Sequence, residues 1–267
     1  MSKFILTYPG NKYQETKKYL NIYPDFTKYK NIVEPFGGAF GFSRAIYEIE
    51  KKKGIENKKY FIYDTNADLI DLYNFLKYNT EEENKEFLKK YNETIEQCEP
   101  YYKDGKEIKN LINKKLAENI YKNIDNRFIK LCFFFNIFTT SGMCKRTYKN
   151  NLNFNYLKFF EFRKLDFKNL DLDEFNKEDT LFYLDPPYFL ECSIWYDQKT
   201  FSLNFNKIIN CMNNYNSLLI INESPLTDYI FKDYYYNEYS KIYQVTKKKT
   251  THKIYFNSID KNNKIEE

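Results

Sequence analysis

The ten residues from Leu181 to Leu190 have the sequence LFYLDPPYFL, an apolar, strand-like stretch followed by an aspartate, two prolines and a tyrosine. Proline lacks an N–H group and has a fixed φ, so Pro186 and Pro187 take the chain out of a sheet in a rigid, extended turn. Such a turn leaves main-chain carbonyl groups unpaired beside the Asp185 carboxylate and sets the ring of Tyr188 near the same place. Two acceptors and a flat ring, without a nucleophile, suit an exocyclic amine.

The elements that would position these groups are short apolar runs, each ending near acidic or polar residues, at residues 30–36, 59–64, 180–185 and 217–222. Their length and their aromatic and β-branched content favour strands, and their nearly continuous hydrophobicity is typical of strands covered on both faces. Helical patterns lie between several of them, at residues 40–53, 68–77 and 205–214. The alternation predicts an α/β fold with a doubly wound, Rossmann-like parallel sheet.

Ligands of such a sheet bind beyond the carboxyl ends of its strands. The four runs place polar side chains there: Glu34, Asp64, Asp185, Asn222 and Glu223. The regular alternation breaks between residues 78 and 158, which are polar and charged at first and then apolar at 128–138, where we expect a core helix. Because this stretch is too long for a plain connection, we predict an inserted, mostly helical domain at 78–158 within a core domain of 1–77 and 159–267.

Two further segments favour a ligand site at the start of the sheet. Residues 34–43, EPFGGAFGFS, follow the first strand and open a helix, where glycines let main-chain amides approach a ligand; a plain strand-to-helix turn is an equal alternative. Asp64 ends the second strand, a place from which an acid commonly accepts hydrogen bonds from ribose hydroxyls. Asn66 or Asp68, just beyond it, could instead only cap the next helix.

Composition limits the classes of function. The net charge of +5 permits a polyanionic partner without demanding one. Five widely spaced cysteines without a C-x-x-C pair favour reduced intracellular thiols and argue against disulfides or a zinc site. His252 is the sole histidine, which nearly excludes histidine triads and histidine metal clusters. We expect an intracellular, non-secreted protein, because the sequence shows neither a signal peptide nor an apolar run of membrane-spanning length.

Together these segments resemble the Dam-type N6-adenine DNA methyltransferases in the alpha arrangement, and the resemblance covers almost the whole chain. The D-P-P-Y run at 185–188 resembles the catalytic motif of the family, YPGNK at 8–12 the N-terminal cofactor motif, and residues 138–156 the DNA-reading hairpin of the middle domain. KLDFKNL at 164–170 resembles the segment that reads the cofactor adenine. The resemblance implies a cofactor site for S-adenosylmethionine at Tyr8, Gly10, Lys12, Glu34, Phe36, Gly38, Ala39, Asp64, Asn66, Asp166, Phe167 and Asp185.

The resemblance also implies the roles of the two domains. Residues 1–77 and 159–267 would bind the cofactor and carry the catalytic residues, Asp185, Pro186, Pro187 and Tyr188. Residues 78–158 would recognise the target through the hairpin. The DNA contacts would come from Met143, Lys145, Arg146, Lys149 and Asn153 of that domain and from Lys247 and Lys248 in the basic stretch 246–253. Met143 could equally be a core residue. The basic stretch could instead be a solvated charged face.

The implied reaction moves a methyl group from S-adenosylmethionine to N6 of an adenine rotated out of duplex DNA, leaves S-adenosylhomocysteine and needs no metal. GATC is the usual site of the family. The sequence leaves open a cognate restriction endonuclease as partner, a monomer or weak dimer, and a bacterial, phage or viral origin, and it predicts no membrane partner. Methylation of adenine in RNA and a catalytically decayed nucleic-acid-binding relative are the alternatives.

The chain departs from the family pattern in three places. Phe40 stands at the last position of the usual F-x-G-x-G loop, with Gly41 one step later. Lys145 and Arg146 stand where the family often has a single arginine. The third departure concerns the apolar strand that usually closes family chains: because this sequence ends in NNKIEE, we expect that strand to be missing or shortened.

Overall fold

The structure is a computed structural model of the chain, and it describes residues 6, 11–55, 57–103, 106–139, 147–148, 152–186, 198–242 and 249–259. Within these residues the helices are α1 (Tyr13–Lys18), α2 (Gly41–Lys52), α3 (Ala67–Tyr78), α4 (Glu81–Glu96), α5 (Lys114–Lys122), α6 (Arg127–Ile137), α7 (Gln198–Asn214) and α8 (Pro225–Phe231). The strands are β1 (Asn31–Glu34), β2 (Lys59–Asp64), β3 (Pro100–Lys103), β4 (Lys106–Ile112), β5 (Phe160–Lys164), β6 (Thr180–Leu184), β7 (Ser217–Asn222), β8 (Tyr235–Ile242) and β9 (Lys249–Asn257).

The chain forms two compact units. One contains residues 1–11 and 66–162, and the other, which we call the sheet unit, contains residues 12–65 and 163–267. A seven-stranded sheet has the order β5-β2-β1-β6-β7-β9-β8. Strands β2, β1, β6 and β7 pair in parallel, which confirms the predicted Rossmann-like α/β fold.

The strand order of the sheet reverses between β1 and β6. From β1 the chain continues to β2 on one side, whereas β6 and β7 are added later on the other side, so that Asn31 pairs with both Lys59 and Thr180. A doubly wound sheet forms a crevice at this point, beyond the carboxyl ends of its strands. Glu34 is the last residue of β1 and Asp185 directly follows β6, so both acids lie at the crevice.

Helices pack against both faces of the sheet unit because alternate residues of a strand point to opposite faces. Phe182 and Leu184 of β6 belong to a buried cluster that also contains Met212 of α7. Between them Tyr183 points the other way and stacks on Phe42 of α2, with ring centroids 3.7 Å apart and an interplanar angle of 3°. The continuous apolar run of β6 is therefore buried on both sides.

The expectation of a missing closing strand is wrong. Strand β9 pairs antiparallel with β7 from Ser217↔Asn257 to Asn222↔His252, and it pairs with β8 on its other side. The sequence predicted that the basic stretch 246–253, which overlaps β9, either contacts DNA or forms a solvated charged face. Lys253, at its end, forms ion pairs with Asp228 at 2.7 Å and Glu223 at 3.4 Å. The charges of β9 thus belong partly to the sheet unit itself.

In the other unit, helices α3, α4 and α5 each contact α6. Phe75 of α3 stacks on Phe128 of α6, with centroids 3.9 Å apart. Helix α4 begins with a capping box in which Thr80 and Glu83 bond each other's main-chain amides. The apolar run at 128–138 forms a helix, as predicted. In the part of the chain that the structure describes, no helix is long and apolar enough to cross a membrane.

This unit carries an antiparallel hairpin formed by β3 and β4. The sequence predicted a hairpin at 138–156 and missed the one at 100–112. Of residues 138–156, the structure describes 138–139, 147–148 and 152–156, none of which lies in a strand.

Candidate functional site

Lys12 and Asp185 form a buried ion pair in the sheet unit. The Lys12 Nζ atom lies 3.0 Å from Asp185 Oδ1 and 2.9 Å from Oδ2, although 173 residues separate the two in sequence. Burial raises the pKa of the Asp185 carboxyl above its ordinary value, and the Lys12 ammonium counteracts the rise. The pair places a carboxylate acceptor at the switch point of the sheet, directly after β6.

Glu34 lies beside this pair and is 3% exposed. Its Oε2 atom accepts hydrogen bonds from the Ser43 hydroxyl at 2.5 Å and the Ser43 amide at 3.2 Å, at the start of α2. Burial raises the pKa of Glu34 to about 8 despite the bonds from Ser43, and the negative charge of Asp185 adds to the rise. Near neutral pH, Glu34 is therefore mostly protonated.

We predict that Glu34→Gln flattens the pH dependence of stability. The ordinary pKa is 4.5 and the folded value about 8, so between these limits the folded chain binds more protons than the unfolded chain and loses stability as pH rises. Glutamine cannot ionise, so the variant should lose less stability from pH 5 to pH 8, by an amount on the order of 3 kcal/mol. Urea unfolding at several pH values measures it.

The matched control for this prediction is Glu178→Gln, at an exposed carboxylate, which should follow the wild-type curve. Parallel stability curves for wild type and Glu34→Gln would show that Glu34 does not hold a proton in the folded state.

The glycine loop after β1 is tied to the end of β2. The Asp64 Oδ2 atom accepts a hydrogen bond from the Gly38 amide at 2.8 Å, and the Gly37 amide donates to the Tyr63 carbonyl at 2.7 Å. A Cβ atom on Gly37 would lie 2.5 Å from the Ile62 Cγ2 atom and 2.9 Å from the Tyr63 carbonyl oxygen. Only glycine allows the loop to approach β2 this closely.

Phe40, at the position where the family pattern has glycine, has a left-handed conformation with φ of 38°. A side chain in this region is strained. The ring of Phe40 is completely buried, and its amide donates to the Gly37 carbonyl at 2.6 Å. The loop thus keeps a glycine-like turn, and burial of the aromatic ring offsets the strain.

Asp166 and Phe167 follow β5, where the Leu165 amide donates to the Asp64 carbonyl at 3.1 Å. The Asp166 Oδ1 atom accepts from the Lys168 amide at 3.0 Å, which fixes the turn. Phe167 is buried and makes an edge contact with Phe36 of the glycine loop, with centroids 5.2 Å apart. Carboxylates that can accept bonds from hydroxyl and amine groups, beside an aromatic pair, fit the donor groups and flat base of an adenosine ligand.

The remaining predicted residues lie in the glycine loop, in the other unit or outside the described residues. Asn66 caps α3 by accepting from the Leu69 amide at 3.1 Å, which is the alternative left open by the sequence. Asn153 is exposed and accepts from the Asn155 amide at 2.6 Å. Ala39 is buried in the glycine loop. Outside the described residues lie Tyr8, Gly10, Met143, Lys145, Arg146, Lys149, Pro187, Tyr188, Lys247 and Lys248.

Sequence reasoning missed an anchor within the predicted DNA-reading segment. The Asn92 side chain of α4 bonds both main-chain groups of Tyr148, the amide at 2.8 Å and the carbonyl at 2.6 Å. The Tyr148 hydroxyl donates to Asn136 of α6 at 3.0 Å. Asparagines that bond a residue distant in sequence carry no sequence signature, so nothing in the pattern marked Asn92 or Asn136.

The fold, with a glycine loop after β1 and acids at the ends of β2 and β6, is that of a Rossmann-like methyltransferase. The sequence model of the D12 class N6 adenine-specific DNA methyltransferases matches residues 8–251, and the chain belongs to this family. No protein of curated function matches the chain. Membership makes the chain an S-adenosylmethionine-dependent enzyme that methylates adenine N6 in DNA.

Proposed function

We propose that the sheet unit binds S-adenosylmethionine beside Asp185 and methylates N6 of an adenine rotated out of duplex DNA. The observation that carries this proposal is the buried ion pair of Lys12 and Asp185 at the switch point of the sheet. An ion pair at a ligand-binding crevice places an oriented acceptor where a substrate can reach it.

The cofactor would be held by the crevice end of the sheet unit. Asp64 would bond the ribose hydroxyls, Asp166 the adenine amine, and Phe167 would lie against the adenine ring. The amides of the glycine loop at Gly38 would approach the ligand closely. Tyr8, Gly10, Phe36, Ala39 and Asn66 are proposed on the resemblance to the family, and Lys12 and Glu34 on their contacts beside Asp185.

When bound, the cofactor supplies a methyl group already activated by its sulfonium sulfur. S-adenosylhomocysteine is the product that remains after the transfer. The chain must make adenine N6 a better nucleophile, because the lone pair of this amine is shared with the ring. Asp185 and the Pro186 carbonyl would accept hydrogen bonds from its two N–H groups, favouring a tetrahedral nitrogen whose lone pair can attack. As the new nitrogen–carbon bond forms, the carbon–sulfur bond would break, and Asp185 would take up the proton that the methylated nitrogen loses. Tyr188 would stack on the base. The contribution of the chain is therefore orientation and electrostatics, and we propose no metal.

Rotating a base out of a duplex costs a few kcal/mol, which contacts to the DNA must offset. We propose that residues 78–158 read the target through segment 138–156, which Asn92 and Asn136 anchor at Tyr148. Basic and polar side chains would contact the DNA: Lys145, Arg146, Lys149, Asn153, Lys247 and Lys248, together with Met143 as a wedge or base contact. The proposal also includes GATC as the target sequence, a cognate restriction endonuclease as a partner, and a monomer or weak dimer as the oligomeric state.

The test is incorporation of tritiated methyl groups from S-adenosylmethionine into duplex DNA of mixed sequence, with RNA of the same sequence as a parallel substrate. Label in DNA as N6-methyladenine supports the proposal. Label confined to RNA would favour the RNA enzyme, and absence of label on both would favour a binding protein without activity.

Sequencing of modified bases in DNA from cells expressing the chain would give the target sequence. The same measurement with Arg146→Ala tests the proposed reader. We expect the set of modified sites to shrink or to lose its sequence preference. Identical sites at identical occupancy would mean that this segment does not choose the target.

A further inference from the structure

A cluster of buried polar groups lies behind Asp185 in the sheet unit. Its centre is Glu15 of α1, which is 8% exposed. The carboxylate accepts a hydrogen bond from the Tyr239 hydroxyl at 2.9 Å through Oε2, while its Oε1 atom pairs with the Lys241 ammonium. Both partners lie on β8, so Glu15 ties α1 to β8, although 224 residues separate Glu15 from Tyr239.

Lys12 pairs with Asp185 and interacts electrostatically with Glu15. Burial would raise the pKa of Glu15, but the positive charges of Lys12 and Lys241 outweigh it and hold the pKa below its ordinary value. Two ammonium groups thus face two carboxylates, so the charges within the cluster balance. A buried ion is stable only when its partner charges are held in place, so loss of one member affects the others.

His252 of β9 packs against the cluster at Tyr239. Its ring is completely buried and stacks on Tyr239, with centroids 5.0 Å apart and an interplanar angle of 12°. Burial lowers the pKa of His252 to about 4, and Lys12 acts in the same direction. The ring is therefore neutral near pH 7 and fixes Tyr239 without adding a charge.

We propose that Glu15 is a positioning residue for methyl transfer, holding Lys12 against Asp185 and setting the electrostatic potential at the Asp185 carboxylate. The inference rests on the proposed role of Asp185. It goes beyond it because Glu15 belongs to none of the motifs of the sequence and is not expected to touch cofactor or base.

The charges around Asp185 predict the direction of the effect. Burial raises its pKa, Lys12 lowers it, Glu15 raises it further, and Lys241 lowers it. Loss of the Glu15 charge therefore favours ionised Asp185 at lower pH, whereas loss of the Lys241 charge does the opposite. Among the described residues, Asp185 also interacts with ionisable side chains of Glu34 in β1, Tyr183 in β6, Tyr239 in β8 and Tyr23.

The experiment is single-turnover methyl transfer to duplex DNA as a function of pH. For Glu15→Gln we expect the rate at pH 7 to fall on the order of tenfold, because Lys12 and Asp185 lose their fixed geometry. The acidic limb of the profile should move to lower pH. Lys241→Gln, at a side chain one-third exposed, should move the same limb to higher pH and serves also if Glu15→Gln does not fold.

The matched control is Glu48→Gln. Glu48 of α2 also holds α1, the helix that contains Glu15. It accepts hydrogen bonds from Tyr13 and Lys17 of α1, each at 2.5 Å. Loss of the Glu48 carboxylate should loosen α1. The acidic limb of the pH–rate profile should stay at the wild-type pH. Opposite displacements for Glu15→Gln and Lys241→Gln support the inference. If wild type is active but the acidic limb stays at the same pH in both variants, the inference about Glu15 fails and the proposed function stands. If wild type is inactive, the proposed function fails as well.

Discussion

Asp185→Ala is expected to reduce single-turnover methyl transfer to duplex DNA by about a thousandfold, the scale seen when a group that stabilises a transition state is removed. The variant lacks the acceptor for the target amine, and it leaves the Lys12 ammonium, itself 4% exposed, without its carboxylate partner. Tritium transfer from labelled S-adenosylmethionine gives the rate. Isothermal titration with the cofactor shows whether binding survives.

The control for this prediction comes from the opposite end of the same strand. Asp179 precedes β6 and pairs with the Lys30 side chain at 2.8 Å, a pair whose lysine is largely exposed. Asp179→Ala should leave the rate within about twofold of wild type, because an exposed ion pair contributes little. Equal rates for Asp185→Ala and wild type would refute the catalytic role of Asp185.

Gly37→Ala is expected to disrupt the glycine loop. The added methyl group would meet the Ile62 side chain at 2.5 Å and the Tyr63 carbonyl oxygen at 2.9 Å, and the main chain of β2 cannot easily move inside a sheet. We expect the free energy of unfolding to fall by about 2–3 kcal/mol and cofactor affinity to fall at least about tenfold. Urea unfolding and calorimetric titration measure the two effects.

Gly54→Ala is the matched control for that substitution. Gly54 follows α2 with φ of +78°, and a Cβ atom there would meet nothing within 4 Å. The cost should be only the conformational strain of alanine, about 1 kcal/mol, with cofactor affinity unchanged. The interpretation of the loop as close-packed against β2 would fail if Gly37→Ala were as mild as Gly54→Ala.

The elements of the parallel sheet were predictable because buried strands have a strong local signal. The runs at 59–64 and 217–222 coincide with β2 and β7, since continuous apolar residues bounded by polar ones mark strands covered on both faces. The acids at their carboxyl ends, Asp64 in β2 and Glu223 after β7, were predictable for the same reason. Their shared crevice follows from the parallel direction of the strands.

The antiparallel end of the sheet was not predictable. Strand β9 contains lysines and threonines along half its length, and its burial depends on pairing with β7 and β8. The ion pair of Lys12 with Asp185 joins distant parts of the chain, and periodicity contains no information about such a contact. Glu15 in a short helix has the pattern of a solvated residue; only the fold shows that Tyr239 and Lys241 cover it.

The bonds from Glu15 to Tyr239 and Lys241 have a consequence for biosynthesis. A ribosome makes α1 well before β8, because 224 residues separate Glu15 from Tyr239. The nascent polypeptide can therefore form the parallel strands before Tyr239 and Lys241 of β8 are present to hold Glu15 near Lys12. We expect methyl transfer to reach its full rate only after β8 has been translated and has folded against α1.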